Sequence, residues 1–224
     1  MKYLIFDAGP IISMAMNGLL PVLEKLSENF DGEFVITPSV RKEVVGRPMK
    51  IKKYKLEAIK VDNLIDRGIL KMSTEIVVNS RLDKETKRIS KICNGVLRSS
   101  ETKEKINIIH EGEASCIAFA SLCGCNNVIV VDERTTRLLI EAPKRLNELM
   151  HNKLHIPIIS ELSVLSPLKK FKVIRSTELM FIAYKKNLFQ LKKEKNTLDA
   201  ILYSLKFKGT AISAQEIEEM KGFV

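Results

Sequence analysis

Two short apolar runs in this chain end on aspartate. Tyr3-Leu4-Ile5-Phe6 leads into Asp7, and Val128-Ile129-Val130-Val131 leads into Asp132. Apolar runs without alternation suit strands covered on both faces, as in parallel sheets, and not strands with one wet face. Parallel neighbours need long crossovers, usually helical. The chain is therefore expected to be an α/β protein built on a central, mostly parallel sheet.

The punctuation supports that reading. Strands are expected at Lys2–Phe6, Glu33–Ile36, Asn127–Val131 and Phe171–Arg175, with another inside Gly68–Val78. Helical patterns run from Pro10 to Asn29, broken near Gly18 and Pro21, and from Pro38 to about Val45 with Thr37 as N-cap. A basic, helix-prone stretch follows Gly46-Arg47-Pro48 and reaches about Ser100. Further helices are expected at Glu111–Leu122, Arg134–Met150, Ser176–Asn187, Thr197–Lys206 and Ser213–Met220. Pro143 must kink or split the Arg134–Met150 helix.

Sheets of this class bind ligands beyond the carboxyl ends of their strands. Asp7 and Asp132 would share that edge, although each has an ordinary alternative as the N-cap of the next helix. Two more acids sit oddly. Val40 and Val44 mark the core stripe of their helix, and Glu43 borders it. In Glu111-Gly112-Glu113-Ala114-Ser115-Cys116, Glu113 shares a face with Cys116, Ile117 and Ala120 and so heads an apolar stripe. Glu111 lies nearer the helix start, where an exposed acid complements the dipole. Four carboxylates at one edge repel each other unless a cation intervenes. All-oxygen ligand sets suit Mg²⁺ or Mn²⁺.

Charge points to a polyanionic partner. The chain of 224 residues carries a net charge of +10, the balance expected of a nucleic-acid-binding protein. The excess is concentrated: 18 Lys/Arg against 9 Asp/Glu from Arg41 to Lys105, and 11 against 3 from Lys169 to Lys208. No apolar run approaches the ~20 residues of a membrane helix, and no signal-peptide pattern opens the chain. The four cysteines, Cys93, Cys116, Cys123 and Cys125, show no disulfide or zinc spacing. They read as small, mostly buried apolar residues of a cytoplasmic protein. His110, His151 and His155 show no ligand or nucleophile spacing and read as structural or surface residues.

Taken in order, these segments resemble the PIN-domain nucleases. The stretches that carry the likeness are FDAGPIISMAMNGLLPVLEKL, ITPSVRKEVV, HEGEASCIAFA, VIVVDERTTR and KVIRSTELMFIAYKKNLF, the last with a hydroxyl, Ser176 or Thr177, at the strand end. The family pattern is a strand ending in Asp, a Glu on the helix after the second strand, a third acid on a later helix and a fourth ending the next strand. The likeness covers most of Met1 to about Phe189. It implies a three-layer α/β/α fold and a metal-dependent endoribonuclease that hydrolyses RNA phosphodiester bonds, single strands among its candidate substrates. The implied Mg²⁺ or Mn²⁺ ligands are Asp7, Glu43, Glu113 and Asp132. Asp7 and Asp132 would be direct ligands, with Glu43 and Glu113 completing the shell or orienting water. Ser13 and Ser176 are expected at a phosphate oxygen or an outer water, and Arg134 at the acids or at phosphate. The family also implies a homodimer and leaves a protein inhibitor or partner open.

The chain departs from compact members of that family. It has a basic helical insertion at about 46–108, an extra segment at about 149–170, and a C-terminal helical extension, 191–224, beyond a nuclease-like domain at 1–190. The chief rival is a non-catalytic RNA-binding or assembly protein on the same fold. A binding module, however, has no use for four carboxylates beside a polyanion. The motif LIFDAG superficially resembles haloacid-dehalogenase-like phosphatases, but Gly9 stands where they need a second aspartate. Receiver-type paired acids and late lysine are not found. If the insertion binds phosphates through Lys52, Lys53 and Lys55, reversing these three charges together should flatten the salt dependence of RNA affinity. An unchanged slope in filter-binding titrations would move the surface to Lys185–Lys195.

Overall fold

A computed structural model describes residues 1–124, 126–192 and 194–223. The strands are β1 (Tyr3–Phe6), β2 (Glu33–Ile36), β3 (Lys71–Met72), β4 (Leu97–Ser99), β5 (Val128–Val130), β6 (Ile158–Ser160) and β7 (Lys172–Ile174). The helices in the first half are α1 (Ala8–Met16), α2 (Leu20–Glu28), α3 (Pro38–Arg41), α4 (Lys55–Asp66) and α5 (Asn79–Cys93). Those in the second half are α6 (Glu111–Cys123), α7 (Arg134–Glu141), α8 (Pro143–Leu154), α9 (Ser176–Lys185), α10 (Lys195–Lys206) and α11 (Ala214–Lys221).

The fold is α/β, with a five-stranded sheet in the order β3-β2-β1-β5-β7. Every pairing in it is parallel. β1 is central and fully buried, which accounts for its unbroken apolar run. The chain order reverses beside β1: β2 lies on one side and β5 on the other, with Phe6 opposite Val130. This is the switch point at which parallel sheets open a crevice at their carboxyl ends. Asp7 follows β1 there, its N–H donating to the Val130 carbonyl at 3.0 Å. Asp132 follows β5.

Several expectations need correcting. The helix after Thr37 is α-helical only to Arg41 and then continues as a π-helix over Lys42–Gly46. The valines explain it. Val40, Val44 and Val45 are all buried, and an i→i+5 turn, closed by Arg47 N–H on the Lys42 carbonyl at 2.8 Å, lets both later valines face the core. Of Gly68–Val78 only Lys71–Met72 forms a strand, at the sheet edge. The helix-prone stretch to Ser100 contains β4, which pairs antiparallel with β6, Leu97 opposite Ser160. The insertion and the extra segment, separate in sequence, thus form one small second sheet. Pro143 splits the expected helix and becomes the first residue of α8, where its missing N–H costs nothing.

The 191–224 extension shares the core of residues 1–190. Leu198, Leu202, Leu205 and Ile217 belong to the same buried cluster as Ile5 and Phe6, and Arg175 after β7 pairs with Glu216 of α11 at 2.7 Å. Among the described residues no helix is long and apolar enough to cross a membrane. Because Leu202 is fully buried in that common core, Leu202→Ala should lower stability by roughly 2–5 kcal/mol. Urea unfolding should remain a single transition, coincident by circular dichroism and fluorescence anisotropy. An early separate transition would mean that the extension folds on its own.

Candidate active site

Local structure decides where each of the four acids goes. Asp7 occupies the N-cap position of α1, but its side chain accepts no capping hydrogen bond. Asp132 does not cap α7 either. Glu133 does, accepting from Thr136 N–H at 2.8 Å. The ordinary capping alternative therefore accounts for neither aspartate within its own connection. Glu113 is buried and Glu111 exposed, the arrangement their helix positions predict.

The acids line one cleft of about 690 Å³, together with Gly9, Ser13, Arg47, Gly112 and Lys208. Gly9 lies between the two aspartates: a Cβ there would meet Asp132 Cβ at 3.8 Å and Asp7 Oδ2 at 3.9 Å. Gly112 lies under the other pair. A Cβ on it would stand 3.2 Å from Glu43 Oε1 and 3.5 Å from Asp7 Oδ1, so a larger residue here would crowd the Glu43 carboxylate. A hydroxyl relay fixes the approach of α3 to α6. Thr37 Oγ1 lies 2.6 Å from Ser115 Oγ, which donates to the Gly112 carbonyl at 2.6 Å.

The four carboxylates divide into two pairs. Asp132 is held by three donors: Ser176 N–H on Oδ1 at 2.8 Å, and the hydroxyls of Ser176 and Thr210 on Oδ2 at 2.8 and 2.9 Å. Glu113 accepts His110 N–H at 2.6 Å, closing a capping box on α6, and the Thr136 hydroxyl at 3.0 Å. Burial raises both carboxyls above their ordinary values, and these donors pull them partly back. Asp7 and Glu43, by contrast, accept no side-chain hydrogen bond and pair with no cation among the described residues. Burial, then the Glu113 and Glu43 charges, push the Asp7 carboxyl up to about 7, which the Ala8 and Gly9 amides offset only in part. Among the described residues no group of three or more His, Cys, Asp and Glu side chains is gathered as a ready metal cage.

The other expected residues are distributed as follows. Ser13 is buried in the cleft wall, its hydroxyl donating to the Lys208 carbonyl at 3.4 Å. Ser176 is fully buried and its hydroxyl is committed to Asp132, so it is a positioning residue and not a phosphate contact. Thr177 Oγ1 is buried without a partner. Arg134 makes no ion pair with the acids; it lines a separate depression with Arg137 and Arg145. Lys52 and Lys55 are exposed, and Lys53 lines a neighbouring cleft with its ammonium 5.2 Å from the Tyr54 ring centroid. His110 is an exposed residue at the cleft. Cys93, Cys116 and Cys123 are free thiols, and Cys125 lies outside the described residues. Sequence reasoning missed Arg47, Lys208, Thr136 and Thr210. Only Thr136, inside the Asp132 turn, carried a local signal.

Compared with known proteins, the chain matches no family model, no curated protein and no solved structure. The site therefore stands on its own geometry.

The buried acids make a pH prediction for the metal-free protein. The unfolded chain releases the Asp7 proton near its ordinary 3.8, whereas the folded chain keeps it to about 7. Between these values the native state binds more protons, so stability falls as pH rises across that window and levels off above it. The Asp7 share is on the order of 4 kcal/mol at most, and Glu113 and Asp132 act in the same direction. Urea unfolding in chelator across that range should show this decline. Asp7→Asn should shrink it and leave the variant more stable than wild type above about pH 7. A wild-type profile that rises with pH would contradict the burial of Asp7.

Proposed function

We propose that this chain is a divalent-cation-dependent nuclease on a PIN-like, three-layer α/β/α fold, hydrolysing RNA phosphodiester bonds in the acid cleft. The observation that supports this most is Asp7. A buried carboxylate beside two other acids, with no cation of its own, is costly to retain, and it lies at the switch point where parallel sheets bind ligands. The donor set fits a hard cation, being carboxylate oxygen throughout, and Gly112 leaves open the space between Asp7 and Glu43.

In this reading Asp7 and Glu43 would hold Mg²⁺ or Mn²⁺ directly, because no side chain among the described residues donates to either. Glu113 and Asp132 complete the surroundings from fixed positions. The ion, when bound, supplies an acidified water and offsets charge on the phosphate oxygens. The chain's own groups do the positioning. Three donors hold Asp132 in one orientation, and Thr136 and His110 do the same for Glu113. Arg47 and Lys208 at the rim place positive charge where a polyanion must enter an acidic cleft. Arg134, with Arg137 and Arg145, offers a further contact for the backbone beyond Asp132.

The test is Asp7→Asn, which keeps side-chain volume. Mn²⁺-dependent cleavage of a labelled single-stranded RNA should fall about 10²–10³-fold, while RNA binding in chelator is retained or slightly tighter. Both proteins are purified in parallel with chelator controls against a contaminating nuclease. Equal cleavage by the two, or no cleavage of RNA or DNA by the wild type with either metal, would leave the non-catalytic RNA-binding reading in its place.

A further inference from the structure

A second cleft of about 710 Å³ adjoins the acid cleft and shares Ile12, Arg47, Lys208 and Gly209 with it. Its size is within the roughly 300–1,000 Å³ of small-ligand sites. Its character is different: no aspartate lines it, and α1, the Ile51–Tyr54 turn, α4 and the end of α10 supply mostly apolar walls. Ile12, Ile51 and Phe207 line it although 41%, 47% and 78% of their surface is exposed. Tyr54 adds a second ring. Glu57 also lines this cleft, but its Oε2 is buried and so out of a ligand's reach. Arg47 and Lys208, on the border between the two clefts, are exposed and make no ion pair among the described residues.

We propose that this second cleft receives an unpaired nucleobase of the strand whose phosphate enters the acid cleft. The proposal rests on the nuclease reading for the strand's path and extends it to the substrate's bases. The two clefts are continuous, and the cations at their junction match a phosphate that links a base on one side to the acids on the other. Aromatic rings in an apolar, positively rimmed groove are the usual platform for unstacked bases, which a duplex cannot present.

The experiment measures binding in chelator, by fluorescence anisotropy with the full chain, so that cleavage plays no part. The probes are a labelled uridine hexanucleotide, the same hexanucleotide with one guanosine, and a duplex. Phe207 is exposed, and Phe207→Ala should keep the wild-type melting temperature. It should weaken both single strands on the order of 10- to 100-fold and leave the duplex unchanged. Unchanged single-strand affinity in Phe207→Ala overturns the base site and points to another occupant, such as an apolar protein segment. Failure of the nuclease reading is separate. A wild type that binds through Phe207 but cleaves nothing keeps the base site and loses the enzyme, whereas cleavage without any Phe207 dependence does the reverse.

Discussion

A carboxylate at the carboxyl end of a buried parallel strand must find compensation, and much of this structure is arranged around that need. Asp132 finds it in donors 44 and 78 residues further along the chain. Those donors exist there only because β7 pairs beside β5 and because the chain beyond α10 returns to the sheet edge. The Ala211 N–H on the Asp132 carbonyl, at 3.1 Å, ties the same segment down through its backbone. The C-terminal extension is therefore part of the site's support as well as of the core. Asp7 is the exception. It is buried as deeply, and no donor side chain is provided for it.

That asymmetry is informative because the polar groups of α3 and α6 beside Asp7 are satisfied. Thr37, Ser115 and the Gly112 carbonyl form a closed relay, and Glu113 has a donor for each oxygen. A fold that satisfies these groups yet leaves Asp7 and Glu43, both close to Gly112, without a side-chain donor has placed its least compensated carboxylates in one spot. Strain of this kind is usually confined to functional sites. The π-turn that carries Glu43 is part of the same arrangement. Burying both Val44 and Val45 with Val40 widens the helix and thereby sets where the intervening acid emerges.

Much of this was legible in the residues themselves. Apolar runs ending in Asp7 and Asp132 marked the central strands, because burial on both faces erases alternation. Thr37-Pro38 marked a helix start and Pro143 a helix break, because caps and proline act through bonds within one turn. The placement of Glu113 over Glu111 followed from helical periodicity alone. What failed were features whose cause lies elsewhere in the chain. β4 has its partner in β6, some sixty residues later, so nothing near Leu97 announces a strand. Ser176 resembled a phosphate ligand until its partner was seen to be Asp132.

The sequence by itself determined the kind of fold and the presence of acids at strand ends, since both depend on side-chain period and on what a buried strand tolerates. Tertiary structure alone decided which acids are already satisfied. It also brought Thr210, Lys208 and Phe207 from the far end of the chain to the sheet edge, and it joined an apolar cleft to the acidic one. These are matters of long-range pairing. Hydrogen bonds and cleft walls formed between residues tens or hundreds of positions apart leave no local periodicity, because their energy depends on where packing brings the chain and not on the order of its neighbours.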